Sequence, residues 1–112
     1  MPKWYDLAEK SLGEKDEIQK TYQGKFDGDN GYMILSNDKL LFVKEEGFIF
    51  KNHDVTMELP YDRIGKIYCE DRYNMDLTDI EGRKHEFQTY QMPVSIIKDS
   101  VNELRSLEAP NT

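Results

Sequence analysis

The side chains able to do chemistry are few and scattered. Cys69 is the only cysteine, and His53 and His85 are the only histidines. Such residue types suit a zinc centre with three ligands and an open position, or a thiol nucleophile beside an imidazole base. Neither has a supporting spacing here: Cys69 has no CxxC partner, and no Ser/His/Asp or Cys/His arrangement flanks it. His53-Asp54 reads as a surface loop and His85-Glu86 as part of a strand face. Cys69 alternates with Ile67 and reads as a small buried hydrophobe. The pairs Glu45-Glu46 and Glu70-Asp71 have the chemistry of general acids and bases. Both fall at strand ends, where charge discourages edge-to-edge aggregation. Asp27-Gly28-Asp29-Asn30-Gly31 looks like a calcium loop, but an EF-hand needs an oxygen ligand at its fifth position, Gly at the sixth and Glu at the twelfth. Gly31, Tyr32 and Asp38 stand there instead, so a hairpin turn is expected. No catalytic residue, metal site or cofactor is assigned.

The candidates for binding are aromatic. Tyr61, Tyr68, Tyr73 and Tyr90, with Met75 and Met92, exceed what a small core needs to bury. Tyr and Met bring large contact area to interfaces, although Tyr also suits strand faces on its own account. Trp4 and Tyr5 are a second candidate pair. Lys39, Lys44, Lys51 and Lys66, with Arg63, form either a local basic patch or part of a mixed surface. An exposed sheet edge is a further route by which an extended peptide can bind.

Composition bounds the alternatives. The chain has 112 residues and a formal net charge of −7, from 22 acidic and 15 basic side chains. One domain is expected, since domains commonly run ~100–150 residues. The acidic balance opposes nonspecific attraction to nucleic acid and to anionic lipid, so no nucleic-acid partner is expected. Aromatic residues at 12% argue against disorder. No apolar run approaches the ~20 residues of a membrane-spanning helix. No basic-then-apolar leader opens the chain, and a soluble, cytoplasmic protein is expected.

The elements that must position these residues follow from periodicity. Trp4, Leu7, Ala8 and Leu12 recur at helical spacing, with Gly13 as a left-handed stop, giving a short helix over 1–13 that must dock on something. Alternation then predicts strands over Ile18–Phe26, Gly31–Ser36, Lys39–Glu45, Phe48–Phe50, Val55–Leu59, Ile64–Glu70, Tyr73–Thr78 and Lys84–Thr89. Ser36-Asn37-Asp38 and Asp79-Ile80-Glu81-Gly82 supply turns, Asn52-His53-Asp54 a loop, and a bulge near Gly65 keeps Ile64, Ile67 and Cys69 inward. After Pro93, the residues Val94, Ile97, Val101, Leu104 and Leu107 make an apolar helical stripe. Its face is expected to plug the open end of a small, strongly bent sheet. A domain over 14–108 and a frayed tail at 109–112 complete the organisation.

Three segments carry a resemblance. Gly31–Val43 reads Gly-Tyr-Met-Ile-Leu-Ser-Asn-Asp-Lys-Leu-Leu-Phe-Val. Leu59-Pro60-Tyr61-Asp62-Arg63-Ile64-Gly65-Lys66-Ile67 and Ile80-Glu81-Gly82-Arg83-Lys84-His85-Glu86-Phe87 follow in order. Over about residues 18–107 this succession resembles the pleckstrin-homology-like (PH-like) superfamily, in particular its GRAM-type and bacterial or archaeal PH-like domains. The resemblance implies a mainly β fold: a bent two-sheet antiparallel barrel of about seven strands with a capping C-terminal helix. It implies a non-catalytic module that binds phosphoinositides, peptides or proteins. Lipid-binding members carry a basic cluster around the first hairpin, where this chain sets Asp27, Asp29 and Asp38 beside Lys25 and Lys39. The expected partner is therefore protein, with self-association as one form of it, and Trp4, Tyr5, Tyr61, Tyr73 and Tyr90 are the candidate interface residues. The alternative is a peripheral phospholipid sensor using Lys25, Lys39 and Lys44.

Overall fold

In the computed structural model, which describes residues 2–108, seven antiparallel strands form one sheet in the order β4-β3-β2-β1-β7-β6-β5. They are β1 (Ile18–Phe26), β2 (Asp29–Ser36), β3 (Lys39–Glu46), β4 (Asn52–Pro60), β5 (Ile64–Cys69), β6 (Asn74–Asp79) and β7 (Lys84–Gln88). Helix α1 (Lys3–Lys10) precedes them, and α2 (Val94–Glu108) follows. The expected two-sheet barrel is thus a single sheet bent at β1. That strand pairs with β2 along its length but with β7 only at Lys25–Gln88 and Phe26–Phe87. Gly24 permits the crossing, because a Cβ there would lie 2.4 Å from the Gln88 carbonyl oxygen and 2.6 Å from the Phe87 ring.

Leu40, Leu41, Phe42 and Val43 are all buried, as are Met33, Ile34 and Leu35 opposite them. A strand covered on one face alternates; one covered on both does not. Met33, Leu35, Leu40 and Phe42 face the main core, together with Phe26, Tyr61, Met75, Leu77 and Phe87. Ile34, Leu41 and Val43 face outward, into a second cluster completed by Ala8 and edged by Trp4, Leu7, Leu12, Tyr32 and Val55. Helix α1 therefore docks on its own domain, with Trp4 stacked on Tyr32 at 4.0 Å and 7°. The helix ends at Ser11 instead of a left-handed Gly13, with the Ser11 and Leu12 N–H groups donating to the Ala8 and Glu9 carbonyls.

Helix α2 closes the main core with Val94, Ile97 and Val101, all fully buried, and Leu104 at its edge. Leu107, expected to extend the stripe, is exposed instead, because the packed face ends at Leu104. The Arg105 guanidinium donates to the Ile64 carbonyl at 3.0 Å, next to the bulge at Gly65 that the alternation required. Two expectations are corrected at the β3–β4 connection. Phe48–Phe50 is no strand, and Asn52-His53-Asp54 is no loop but the start of β4, pairing with Glu46, Glu45 and Lys44. The ladder reaches Glu46–Asn52, so the three apolar residues fall in the connection itself.

The β2–β3 turn is held by polar groups in the interior. The Ser36 hydroxyl donates to Asp16 Oδ2 at 2.7 Å and accepts the Lys39 N–H, while Asp16 Oδ1 accepts the Asp38 N–H at 3.2 Å. The Tyr61 hydroxyl donates to the Ser36 carbonyl at 2.6 Å. Burial in low dielectric requires such pairing, and among the described residues no buried side-chain polar atom lacks a partner.

Candidate functional site

Two connections bring the aromatic candidates together. In the β5–β6 connection, Asp71 Oδ1 accepts the backbone N–H groups of Tyr73 and Asn74 at 2.8 and 2.9 Å. The Tyr73 N–H, with the Asn74 side chain next, holds the Asp71 carboxyl below the usual carboxylate range. The β7–α2 connection is tied to β1: Thr89 Oγ1 donates to the Gln23 carbonyl at 2.8 Å, and Gln91 Oε1 accepts the Gln23 N–H at 3.1 Å. The connections join where the Thr89 N–H donates to Tyr73 O and the Val94 N–H to Arg72 O. Tyr73 and Tyr90 consequently lie with ring centroids 5.1 Å apart, both exposed. The Arg72 guanidinium stands 5.9 Å from the Tyr73 ring centroid. Beside Tyr90 an open cleft of about 470 Å³ is lined by Gln23, Gln88, Gln91, Asn30, Lys25 and Glu45, among others. Its wall is amide-rich, and the Gln88 amide donates to the Tyr90 hydroxyl at 2.8 Å. An aromatic pair next to amides has the chemistry of binding.

The other candidates lie elsewhere. Tyr61 is not a surface residue: at 2% exposure, with its hydroxyl spent on Ser36, it is core. Met75 is core as well, at 1%. Trp4 and Tyr5 are half-buried neighbours on α1, 5.7 Å apart edge to face, with Trp4 committed to Tyr32. His53 Nε2 lies 2.9 Å from Glu45, and His85 Nδ1 lies 2.7 Å from Asp27, on separate strands. Cys69 packs against the main core. Among the described residues no three His, Cys, Asp or Glu side chains gather as metal ligands. Asp27-Gly28 is a two-residue hairpin turn with φ of 51° and 87°, the sign such turns require. The Asp27 carboxylate caps the Glu86 N–H at 2.8 Å.

One feature escaped the residue pattern. The most exposed large apolar side chains among the described residues are Phe48, Phe50 and Ile49, at 98, 86 and 84%. They are consecutive, at the β3–β4 tip. Misread as a strand, they carried no signal, although Gly47 beside them marks a turn.

The chain matches the family described as "Bacterial PH domain" over residues 12–107. The chain belongs to this family. Among solved structures, this PH domain is similar to the N-terminal PH domain of Vps36, with a TM-score of 0.64 at 9% identity, covering 86% of this chain and 83% of that one. It is also similar to the C-terminal domain of an unknown protein from Leishmania infantum, with a TM-score of 0.63 at 11% identity and 88% of each chain covered. No curated protein matches in sequence. PH domains are in general protein- or lipid-interaction modules. No helix among the described residues is long and apolar enough to cross a membrane.

The lysines offered for lipid do not converge in this PH domain. Lys39 opens β3 and Lys44 stands towards its other end, ~17 Å away along the strand. Lys39 Nζ is bonded to Glu58 and to the Ser11 carbonyl, both at 2.8 Å. Lys44 pairs with Glu46 at 2.9 Å and Asp29 at 3.7 Å, contacts that raise its pKa, the Glu46 hydrogen bond most. Lys25 lies on β1 opposite Asn30, away from Lys39.

Proposed function

We propose that this PH domain is a non-catalytic protein-interaction module that receives its partner at the Tyr73/Tyr90 surface. The exposed tyrosine pair beside the amide-lined cleft carries this reading. Tyrosines supply contact area and a polar tip, and the Gln23, Gln88 and Gln91 amides offer donors and acceptors to a partner's main chain. Phospholipid binding through Lys25, Lys39 and Lys44 draws no support from lysines that are separated and largely paired with carboxylates. Self-association is the same reading with a second copy as partner, and solution mass by light scattering separates it from binding another protein.

The test is recovery of a defined partner by wild type and by the Tyr73→Ala/Tyr90→Ala variant, with thermal melting as the folding control. A hot-spot pair contributes about 2 kcal/mol or more, so recovery should fall roughly thirty-fold while melting is unchanged. Equal recovery would remove this surface from consideration.

A further inference from the structure

We propose that the unpaired half of β1 is a strand-addition edge that takes an extended, acidic segment of a partner protein. The proposal rests on the protein-interaction reading of the neighbouring surface and gives the partner's form. The sheet is split beside β1: β2 pairs with that strand from Phe26 back to Ile18, but β7 meets it only at Lys25 and Phe26. The Gln23 N–H and carbonyl point into the split, since Gln91 Oε1 accepts the one at 3.1 Å and Thr89 Oγ1 donates to the other at 2.8 Å. Side chains thus stand where the main chain of a neighbouring strand stands elsewhere in the sheet. These groups alternate in direction along an antiparallel ladder, so Thr21 turns its N–H and carbonyl to the same side. No residue of β7 lies opposite Thr21, and no turn or connection supplies its main chain with a partner. Helix α2 does not close the split: it is reached through the full length of the Tyr22 side chain, whose hydroxyl donates to Ser100 Oγ at 3.1 Å. Thr21 is exposed, and unpaired strand main chain at a surface recruits another chain.

Charge and continuity choose the occupant. The charged side chains of β1 are Lys20 and Lys25, both exposed, and no ion pair engages either among the described residues. The acidic side chains nearby, Glu17 before the strand and Glu103 one turn beyond Ser100, lie off the rungs that a new strand pairs with. A second copy laid edge to edge sets lysine against lysine, whereas carboxylates on an incoming segment face these lysines favourably. A bilayer has no main chain to offer Thr21. The split opens onto the cleft beside Tyr90, which Gln23, Gly24 and Lys25 also line. Glu45, the carboxylate of that cleft, is committed to Lys51 at 3.1 Å and His53 at 2.9 Å. A segment held at Tyr90 therefore runs on along β1, pairing with Thr21 and taking the place of the Gln91 amide at Gln23. Ile96, 49% exposed and one turn before Ser100 on the same side of α2, seats its apolar side chains.

Amide NMR of the full chain, titrated with the capped peptide Thr-Val-Glu-Val-Glu-Val-Thr, tests the edge. The Thr21 and Gln23 amide signals should move, and hydrogen exchange at Thr21 should slow roughly two-fold or more. The same peptide N-methylated throughout cannot build a ladder and should leave both signals in place. Lys20→Glu should weaken binding about five-fold with melting unchanged. The proposal is overturned if neither signal moves, if the methylated peptide binds equally well, or if Lys20→Glu binds like wild type. Thr21 shifts that follow protein concentration alone, with a doubled mass by light scattering, overturn it in favour of a second copy. Shifts produced by phosphatidylserine vesicles and not by the peptide overturn it in favour of lipid. The Tyr73→Ala/Tyr90→Ala variant keeps the two readings apart. Peptide shifts at Thr21 that persist in it support the edge and count against the tyrosine surface. Partner recovery that needs the tyrosines while Thr21 stays silent keeps that surface and overturns the edge.

Discussion

The two helices solve the same problem with opposite geometry. Helix α2 pushes three branched side chains, Val94, Ile97 and Val101, into the concave side of the bent sheet, where each is fully buried. Helix α1 lies on the outer side and fully buries only Ala8, with Trp4 and Leu7 half-covered. Each fully buried aliphatic residue contributes roughly 1.5–3 kcal/mol. The inner helix is therefore part of what makes the sheet bend and stay bent. The outer helix covers a face that the bent sheet already presents. Its small residue at the centre suits close approach, since Ala8 is fully buried in one cluster with Ile34, Leu41 and Val43.

The largest expected effect lies on the inner side. Ile97→Ala should cost about 2–5 kcal/mol, the range for emptying a fully buried aliphatic site. Urea unfolding should stay a single transition, because α2 shares its core with strands from both halves of the sheet. An early, separate loss of helix signal would break the contrast. On the outer side, Trp4→Ala removes a half-exposed ring stacked on Tyr32 and should cost about 1–2 kcal/mol. Its second signature is local: hydrogen exchange should rise along α1 while β1, β6 and β7 remain protected. Uniform loss of protection would mean that the outer helix is as integral as the inner one.

Much of this architecture was legible in the residues. The α2 stripe as far as Leu104, the bulge at Gly65 and the Asp79–Gly82 turn each depend on local periodicity or local turn chemistry, and each stands where expected. The unbroken run Leu40–Val43 held a further message, that both faces of β3 are covered, but only the position of α1 reveals by what. Phe48–Phe50 shows the opposite failure. Apolar residues imply burial on average, and nothing local says that these three have no strand beside them. Tyr61 and Tyr90 are the same residue type, yet one is core and the other 73% exposed, because facing is set by pairing partners distant in sequence. Asp16 was passed over for a related reason: its partners, Ser36 and Asp38, lie 20 and 22 residues away.

The smallest expected effect separates the two sides by pH. The outer cluster ends in a network centred on a carboxylate: Glu45 accepts hydrogen bonds from the Tyr32 hydroxyl at 3.4 Å and from Lys51 at 3.1 Å, and lies 2.9 Å from His53. His53 and Lys51 hold the Glu45 carboxyl below its ordinary range, the His53 hydrogen bond most of all, with burial opposing. Burial and the Glu45 charge in turn raise the Tyr32 hydroxyl. A carboxylate with a lowered folded pKa contributes stability that is complete above its unfolded value, ~4.3, and is lost as pH falls through the folded value. Acid below about pH 4 should therefore loosen the seat of Tyr32, and with it Trp4, the only tryptophan. Its fluorescence should change before the far-ultraviolet signal of the sheet does. Glu45→Gln should remove that early step and leave the later one, which includes the turn carboxylates Asp71 and Asp79, both also held low by backbone N–H groups. If wild type and Glu45→Gln lose Trp4 signal at the same pH, the network does not anchor α1, and packing on Ile34, Leu41 and Val43 alone holds the outer helix.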